Sequence, residues 1–247
     1  MPADRALYLR GIDTLLASWE AIAAGSQGAV VVRAAGVAVA VFPSEPERTI
    51  YNNAVLERDL PSAARADALD AMEATYRSGS VGRYAVWVHE SDEAMRSDVE
   101  ARGYTIDIST RAMGMALREV RVPRPQLELA PPKWTSYVRH LEAVGVPPGT
   151  LAGVDPSAFQ LLIASVEGQH VASAIAFDRD GDRGIFNVST VESHRRGGLG
   201  TALTALLVHD ARARGCATAS LQATAMAERL YAAIGFRDLG RIIEYVP

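Results

Sequence analysis

Residues 184–238 read GIFNVSTVESHRRGGLGTALTALLVHDARARGCATASLQATAMAERLYAAIGFRD, and this stretch decides the fold. It begins with a short apolar run, Ile185 to Val191, which is rich in β-branched residues and predicts a buried strand. A basic, glycine-dense turn follows the run. Leucines then recur at helical spacing and predict a helix that ends at Gly215; they are Leu199, Leu203, Leu206 and Leu207.

The turn between this strand and this helix has the features of an anion site. The first N–H groups of a helix lack internal partners and lie at the positive end of the helix dipole. Glycines beside them let a ligand approach the backbone closely and allow positive φ angles. Arg195 and Arg196 add positive charge to the turn. The arrangement favours a phosphate or a diphosphate as the ligand.

Two known phosphate-binding patterns do not fit the turn. The P-loop pattern GxxxxGK[ST] is absent. The dinucleotide pattern G-x-G-x-x-G/A fails because Leu203 occupies the position of its third small residue. The turn instead reads R-x-x-G-x-G, with Arg195, Gly198 and Gly200 at the defined positions.

The residues after the helix continue a recognisable order. A second apolar run at residues 219–223 predicts a strand, and the short helix after it carries the pattern L-Y-x-x-x-G-F over residues 230–236. With this order and spacing, the stretch resembles the acetyl-CoA loop and the downstream signature of the GNAT superfamily of N-acetyltransferases. The resemblance extends over about residues 125–247 and is faint before them.

The resemblance implies a GNAT acyl-CoA N-acyltransferase fold, which is an α/β fold with a mixed (α+β) sheet, and it implies acetyl-CoA as the co-substrate. Backbone N–H groups of the turn would hold the diphosphate of CoA. The end of the preceding strand would pair with the pantetheine arm as a further strand does. The residues that the resemblance thereby assigns to the co-substrate are Val188, Ser189, Thr190, Arg195, Arg196, Gly197, Gly198, Leu199, Gly200, Thr201 and Thr224.

Tyr231 is the candidate general acid. Attack of an amine on a thioester expels the thiolate of CoA, and a phenol can protonate that thiolate. We expect Tyr231 to lie off the core stripe of its helix and to face the strand ends. The alternative is a tyrosine that packs its ring and bonds its hydroxyl to the backbone. The predicted core stripe consists of Met226, Leu230, Ala233 and Ile234.

Thr224 departs from the pattern of the family. Many proteins that look like this one have an asparagine there, seven residues before the tyrosine, and it contacts the pantetheine arm. A threonine is also a good N-cap for the helix that follows. We expect the capping role, with a contact to CoA as the second interpretation.

The sequence names no general base. Some family members keep a glutamate on the strand before Thr224, where this chain has Ala219. Three polar residues near the turn could act as the base, directly or through water; they are Asn187, Glu192 and His194. A position in a solvated loop or a strand also explains each of them. A Ser-His-Asp triad stays open, although there is no G-x-S-x-G elbow. The histidines show no metal-ligand spacing, so we expect no metal.

The composition disfavours several classes of protein. The net charge is −4 over 247 residues, so no global basic field or basic cluster favours nucleic acid or a membrane surface. No apolar run approaches the length of a membrane span, and the N-terminus lacks the apolar region of a signal peptide. A single cysteine, Cys216, allows no internal disulfide. We expect a cytoplasmic protein without nucleic-acid or membrane partners.

A proline-bearing stretch at residues 120–132 predicts a boundary between two domains, residues 1–120 and 121–247. The second of these is predicted as helix, β, β, β, helix, β, helix, β, the order that the resemblance implies.

The first half contains a weak echo of the second. Trp87–Glu90, a predicted helix and Gly103-Tyr104 correspond to Leu221-Gln222, a helix and Gly235-Phe236. In this alignment Val99 stands where the second half has its tyrosine, and no glycine-rich basic turn precedes the helix. A tandem duplication whose N-terminal copy is degenerate and lost the chemistry is one hypothesis. An unrelated α/β lid is the other.

Together these patterns predict an N-acetyltransferase that transfers an acetyl group from acetyl-CoA to a primary amine of a small molecule or peptide. The amine would attack directly, without an acyl-enzyme. One alternative is a non-catalytic, regulatory acetyl-CoA-binding protein, and another is a tandem acetyltransferase-like enzyme with a specialised small-molecule acceptor. The sequence contains no acceptor-specific motif, and a homodimer is an oligomeric state that it allows.

Overall fold

A computed structural model describes residues 2–47, 49–146 and 149–247. The chain forms two compact units, of which unit 1 consists of Met1–Ser18 and Ala112–Leu239 and unit 2 of Trp19–Arg111 and Gly240–Pro247. Unit 1 therefore includes a short segment from the start of the chain, and unit 2 includes a short segment from its end. The predicted domain boundary after residue 120 stays a prediction, because the compact units do not follow a single cut of the chain.

Helices and strands alternate along most of the chain. The helices are α1 (Pro2–Ala24), α2 (Ser62–Ser78), α3 (Glu93–Ala101), α4 (Trp134–Ala143), α5 (Leu199–Ala213) and α6 (Glu228–Ile234). The strands are β1 (Val30–Ala34), β2 (Val37–Val41), β3 (Asn53–Leu56), β4 (Ala85–His89), β5 (Thr105–Ala116), β6 (Gln160–Val166), β7 (Gln169–Arg179), β8 (Asp182–Thr190), β9 (Thr218–Ala223) and β10 (Arg237–Val246). The order predicted for the second half, from α4 to β10, is confirmed.

Unit 1 has the strand order β5-β9-β8-β7-β6. The pairs β6–β7 and β7–β8 are antiparallel, whereas β8 and β9 are parallel. A parallel pair needs a crossover connection, and α5 provides it. The leucine stripe of α5 lies in the core that the strands cover, as its spacing predicts, with Leu203 and Leu207 fully buried.

Unit 2 has the strand order β1-β2-β3-β4-β10. Its single described parallel pair is β3–β4, which α2 connects. Helices α2 and α3 bury apolar side chains at helical spacing against these strands; among them are Leu69, Met72, Met95 and Val99. The apolar core of unit 2 is therefore separate from that of unit 1.

The two halves of the chain share an order of elements, as the sequence echo predicted. A strand, a helix, a parallel strand, a helix and a further strand occur as β3-α2-β4-α3-β5 and again as β8-α5-β9-α6-β10. Gly103 and Gly235 follow the second helix of each series, with φ angles of 92° and 120°, which favour glycine. This shared order supports the duplication over an unrelated lid.

The first part of α1 packs into unit 1 through close backbone approaches. A Cβ atom added at Gly11 would lie 2.8 Å from Cβ of Ser220 on β9. Asp182 is fully buried beside it, and its carboxylate accepts hydrogen bonds from the hydroxyls of Thr14 (2.8 Å), Thr218 (2.6 Å) and Ser220 (2.7 Å). A buried carboxylate with this many donors is well satisfied. We therefore assign Asp182 to the stability of unit 1.

Although α1 is 23 residues long, none of the described helices combines the length and the apolar character that crossing a membrane requires.

Glu244 on β10 is a buried carboxyl group of unit 2. It lies opposite Trp87 of β4 and is 8% exposed. Burial raises the pKa of Glu244 to about 7. An unfolded glutamate titrates near 4.3, or about 3 pH units lower. The folded state therefore binds this proton more tightly, so the stabilising contribution is complete below the unfolded pKa and is lost as the pH rises toward 7.

Glu244→Gln is expected to stabilise the protein at pH 8 by up to about 3 kcal/mol and to change its stability little at pH 4. The amide keeps the shape of the side chain and removes the buried charge. Thermal unfolding at the two pH values measures the difference. Glu57→Gln, at an exposed position of the same unit, is the control. Equal shifts of Tm at both pH values for Glu244→Gln would show that the buried charge has no cost.

Candidate functional site

The turn before α5 presents backbone N–H groups without a side-chain cap. After β8 the chain makes a short 3-10 turn, Glu192–His194, and then enters the glycine-rich segment. Arg196 and Gly198 both have left-handed backbone conformations, with φ angles of 63° and 80°. Gly198 is the N-cap residue, and no side chain caps the helix. Because helical N–H groups at this position lack internal partners, the turn provides donors at the positive end of α5.

Three elements meet at the first turn of α5. A Cβ atom added at Gly200 would lie 3.6 Å from Cδ1 of Leu230 on α6 and 3.7 Å from Cγ1 of Val188 on β8. Leu199 packs partly buried against the same core. The turn, the end of β8 and the tyrosine-bearing helix are thus brought together as the sequence analysis requires of a single site.

Strands β8 and β9 separate beside this turn. Their pairing runs from Asp182 opposite Thr218 to Gly184 opposite Ser220, whereas β8 continues to Thr190 and β9 to Ala223. The antiparallel ladder of β8 with β7 also shifts register here, and Asn187 has a φ angle of 51°. Such a bulge redirects the strand.

Val188, Ser189 and Thr190 lie in the part of β8 that has left β9. The backbone of this segment is available on that side to an extended ligand that carries amide groups, which is the mode of binding that a strand edge offers. The carbonyl of Thr190 also accepts a hydrogen bond of 3.3 Å from Nε of Arg195. The diverging strands and the uncapped helix are therefore contiguous.

The two arginines of the turn are exposed. Arg195 bonds the backbone of β8, which holds the turn against the strand end. Thr201 is half-buried in the first turn of the helix. The roles of these side chains toward a phosphate remain predictions.

Tyr231 is more deeply buried than a residue off the core stripe would be. It is 7% exposed and packs edge-to-face against Phe236, with 6.0 Å between ring centroids. Burial raises the pKa of Tyr231 to about 12. No described group hydrogen-bonds to its hydroxyl. The alternative interpretation, a hydroxyl held by the backbone, is therefore not what the structure shows.

Two expectations about the segment before α6 are wrong. Thr224 does not cap the helix, because α6 begins at Glu228 and its N-cap residue is Ala227. Instead the carbonyl of Thr224 accepts hydrogen bonds from the N–H groups of Ala227 (2.8 Å) and Glu228 (3.2 Å). Met226 was expected in the core stripe but precedes the helix and is 82% exposed. Thr224 is exposed as well, so its contact with CoA stays a prediction.

Helix α4 holds the bulged part of β8 through polar contacts that the sequence analysis missed. The amide of Asn187 donates to the hydroxyl of Tyr137 (2.9 Å), and Nε2 of His140 lies 3.1 Å from Oγ of Ser189. Oγ of Ser173 on β7 is 3.3 Å from the same oxygen. Tyr137 and His140 are buried. Their three-residue spacing puts both on one face of the helix, which is the only sequence signal that could have indicated them.

The other candidates for a base have different surroundings. Asn187 is engaged with α4, and Ala219 is fully buried in β9. Glu192 is exposed, and Nδ1 of His194 bonds the neighbouring hydroxyl of Ser193 at 2.9 Å. Within the described parts of the chain, no group of three or more histidine, cysteine, aspartate or glutamate side chains is arranged to hold a metal ion.

Comparison with known families identifies the domain that carries this site. The model of the acetyltransferase (GNAT) family matches residues 133–236, which include the turn, the diverging strands and Tyr231. These residues make up less than half of the chain, and they are similar to the GNAT family. This similarity supports acyl transfer in general as the chemistry of the protein.

Solved structures extend the likeness to nearly the whole chain. A GCN5-related N-acetyltransferase from Kribbella flavida is 16% identical, with a TM-score of 0.71 over 96% of this chain and 94% of that one. A tandem GNAT protein from the clavulanic acid biosynthesis pathway is 12% identical, with a TM-score of 0.59 over the same shares of the two chains. A third, from Sphaerobacter thermophilus, is 16% identical, with a TM-score of 0.65 over 86% and 76%.

At these identities the likeness concerns the fold alone. It shows a mixed α/β fold of the GNAT type, and the tandem GNAT protein matches over both halves of the chain. No curated protein matches the sequence.

Proposed function

We propose that the protein is a cytoplasmic N-acetyltransferase that transfers an acetyl group from acetyl-CoA to a primary amine of a small molecule or peptide. The observation that carries the proposal is the separation of β8 from β9 beside the uncapped start of α5. An extended, amide-bearing chain with a diphosphate at one end matches both features at once.

In this proposal the turn binds the diphosphate of CoA, and the end of β8 orients the pantetheine arm. The N–H groups of residues 196–201 hold the diphosphate, and Arg195 and Arg196 add charge around it. Val188, Ser189 and Thr190 pair with the pantetheine arm through their backbone. The glycines at positions 197, 198 and 200 let the ligand approach the backbone closely.

The transfer step uses these positions together with Tyr231. The amine nitrogen attacks the thioester carbon, a C–N bond forms, and the C–S bond breaks. A backbone N–H of the β8 segment polarises the thioester oxygen, and the hydroxyl of Tyr231 gives its proton to the departing sulfur. Positioning of the two reactants supplies much of the rate enhancement.

A ligand-binding assay followed by a turnover assay tests the proposal. At saturating acetyl-CoA we expect stabilisation of about 2–4 kcal/mol, measured as a rise in Tm. We then expect release of free CoA thiol with at least one acceptor from a panel of primary amines, amino acids, aminoglycosides and peptides with free N-termini. Stabilisation without thiol release would favour the regulatory acetyl-CoA-binding protein, and the absence of both would refute the proposal.

A further inference from the structure

The attacking amine must lose a proton, and the candidates that the sequence offered do not accept one well. Asn187 has no basic group, and its amide is already bonded to Tyr137. Glu192 is exposed and His194 is half-buried, and both lie on the 3-10 turn beyond the end of β8. A proton acceptor has to lie beside the segment that guides the thioester.

One pair of side chains meets this requirement. Ser189 is half-buried within the segment, and its hydroxyl lies 3.1 Å from Nε2 of His140. We propose that Ser189 and His140 form a proton relay that removes the proton of the attacking amine. The inference rests on the proposed function, because that proposal places the thioester along Val188, Ser189 and Thr190.

The contacts of Ser189 allow the direction of hydrogen bonding that a relay needs. A serine hydroxyl donates one hydrogen bond and can accept others. Ser173, which is fully buried, can donate to Ser189 at 3.3 Å, and Ser189 can then donate to Nε2 of His140. This direction needs the neutral tautomer of His140 that carries its proton on Nδ1.

The environment of the imidazole favours its neutral form. His140 is 3% exposed, and its buried Nδ1 has no hydrogen-bond partner among the described groups, so a proton on Nδ1 is a cost that the relay has to bear. Burial lowers the pKa of His140. The backbone carbonyl of His170 on β7 opposes that shift, whereas the charge of the His170 side chain adds to it. The ring is therefore neutral above its lowered pKa, and Nε2 is free to accept a proton.

With the relay, every proton that moves in the transfer step has a donor and an acceptor. As the C–N bond forms, the amine proton moves to Oγ of Ser189 while the serine proton moves to Nε2 of His140. The departing sulfur takes its proton from Tyr231. Exchange with solvent then returns His140 to the neutral form and Tyr231 to the phenol. Ser189 contacts the substrate, whereas His140 acts through it and is a positioning and proton-accepting residue.

His140→Gln tests the relay, because a glutamine can accept the hydrogen bond of Ser189 but cannot take up a proton. We expect kcat to fall at least tenfold while the Kd for acetyl-CoA stays within twofold. We also expect the wild-type protein to lose kcat as the pH falls through the lowered pKa of His140, and the variant to lack this dependence. The acceptor is the best amine of the panel above. His194→Gln, the same change at a half-buried histidine of the turn, is the control.

A second measurement needs no acceptor. Nitrogen-15 NMR of the histidine side chains in the full chain reports which ring nitrogen is protonated, and we expect Nε2 of His140 to be the unprotonated one at pH 7.5. A proton on Nε2 would overturn the relay. So would a His140→Gln variant with wild-type kcat and an unchanged pH profile, even though the acetyltransferase assignment would survive that result. Failure of the wild-type protein to bind acetyl-CoA would remove both proposals.

Discussion

Tyr231→Phe is expected to lower kcat by about 100-fold while the Kd for acetyl-CoA changes by less than about twofold. The substitution removes the hydroxyl that protonates the departing sulfur and leaves the packing against Phe236 in place. Because no described group bonds this hydroxyl, its loss leaves no buried partner unsatisfied, and the Tm should stay unchanged. Turnover kinetics and calorimetric binding of acetyl-CoA to the same preparation separate the two effects.

The pH profile adds a second prediction for Tyr231. A general acid acts in its protonated form, and burial raises the pKa of Tyr231 to about 12. The phenol therefore stays protonated throughout the neutral and mildly basic range, and kcat should show no basic limb from this group up to about pH 10. Tyr76→Phe removes another buried hydroxyl, one that lies in unit 2 and has no hydrogen-bond partner, and serves as the control. Full turnover in Tyr231→Phe would remove the tyrosine from the mechanism.

Gly198→Asp is expected to weaken binding of acetyl-CoA by about 100-fold or more without lowering the stability of the fold. Gly198 is the N-cap residue of α5, and its φ angle of 80° is one that aspartate tolerates better than most residues do. The new carboxylate would cap the first N–H groups and interact favourably with the helix dipole. It would thereby occupy the position of the diphosphate and repel it.

The opposite end of the same helix provides a matched control. Gly215 follows α5 with a φ angle of 86°, and an added Cβ atom at either glycine has no neighbour within 4 Å. In Gly215→Asp the negative charge lies at the unfavourable end of the dipole, so we expect a small loss of stability, about 0.5–1 kcal/mol, with unchanged binding. Equal losses of affinity in the two variants would mean that general backbone strain, and not a ligand at the start of α5, explains the effect.

The sequence could predict the turn and its neighbours because the determinants are local. Glycines at left-handed positions, a leucine period of 3.6 and a strand of β-branched residues act through nearest neighbours in the chain. The same local logic explains why the order strand, helix, strand of β8, α5 and β9 could be inferred. It also explains the echo in the first half, where Gly103 repeats the backbone conformation of Gly235.

Long-range contacts could not be read in this way. The hydrogen bond between His140 and Ser189 joins residues 49 positions apart, and neither residue belongs to a motif. The first part of α1 joins unit 1 because Thr14 bonds a carboxylate 168 residues away. The error at Thr224 has a local cause, since its carbonyl closes a turn and postpones the start of α6 to Glu228. In the sequence alone, a threonine that lies three or four residues before the true start of a helix cannot be told from an N-cap.

The most direct test of the account is a calorimetric titration of the full chain with CoA. The diverging strands and the start of α5 predict one binding site per chain, with a Kd of roughly 1–100 μM, in the usual range for an enzyme and its substrate. The variant Gly198→Asp, which places a carboxylate at the position of the diphosphate, should give no saturable heat at the same concentrations. If the wild-type protein also gives no saturable heat up to millimolar CoA, the site does not bind this ligand, and the proposed acetyltransferase function is contradicted.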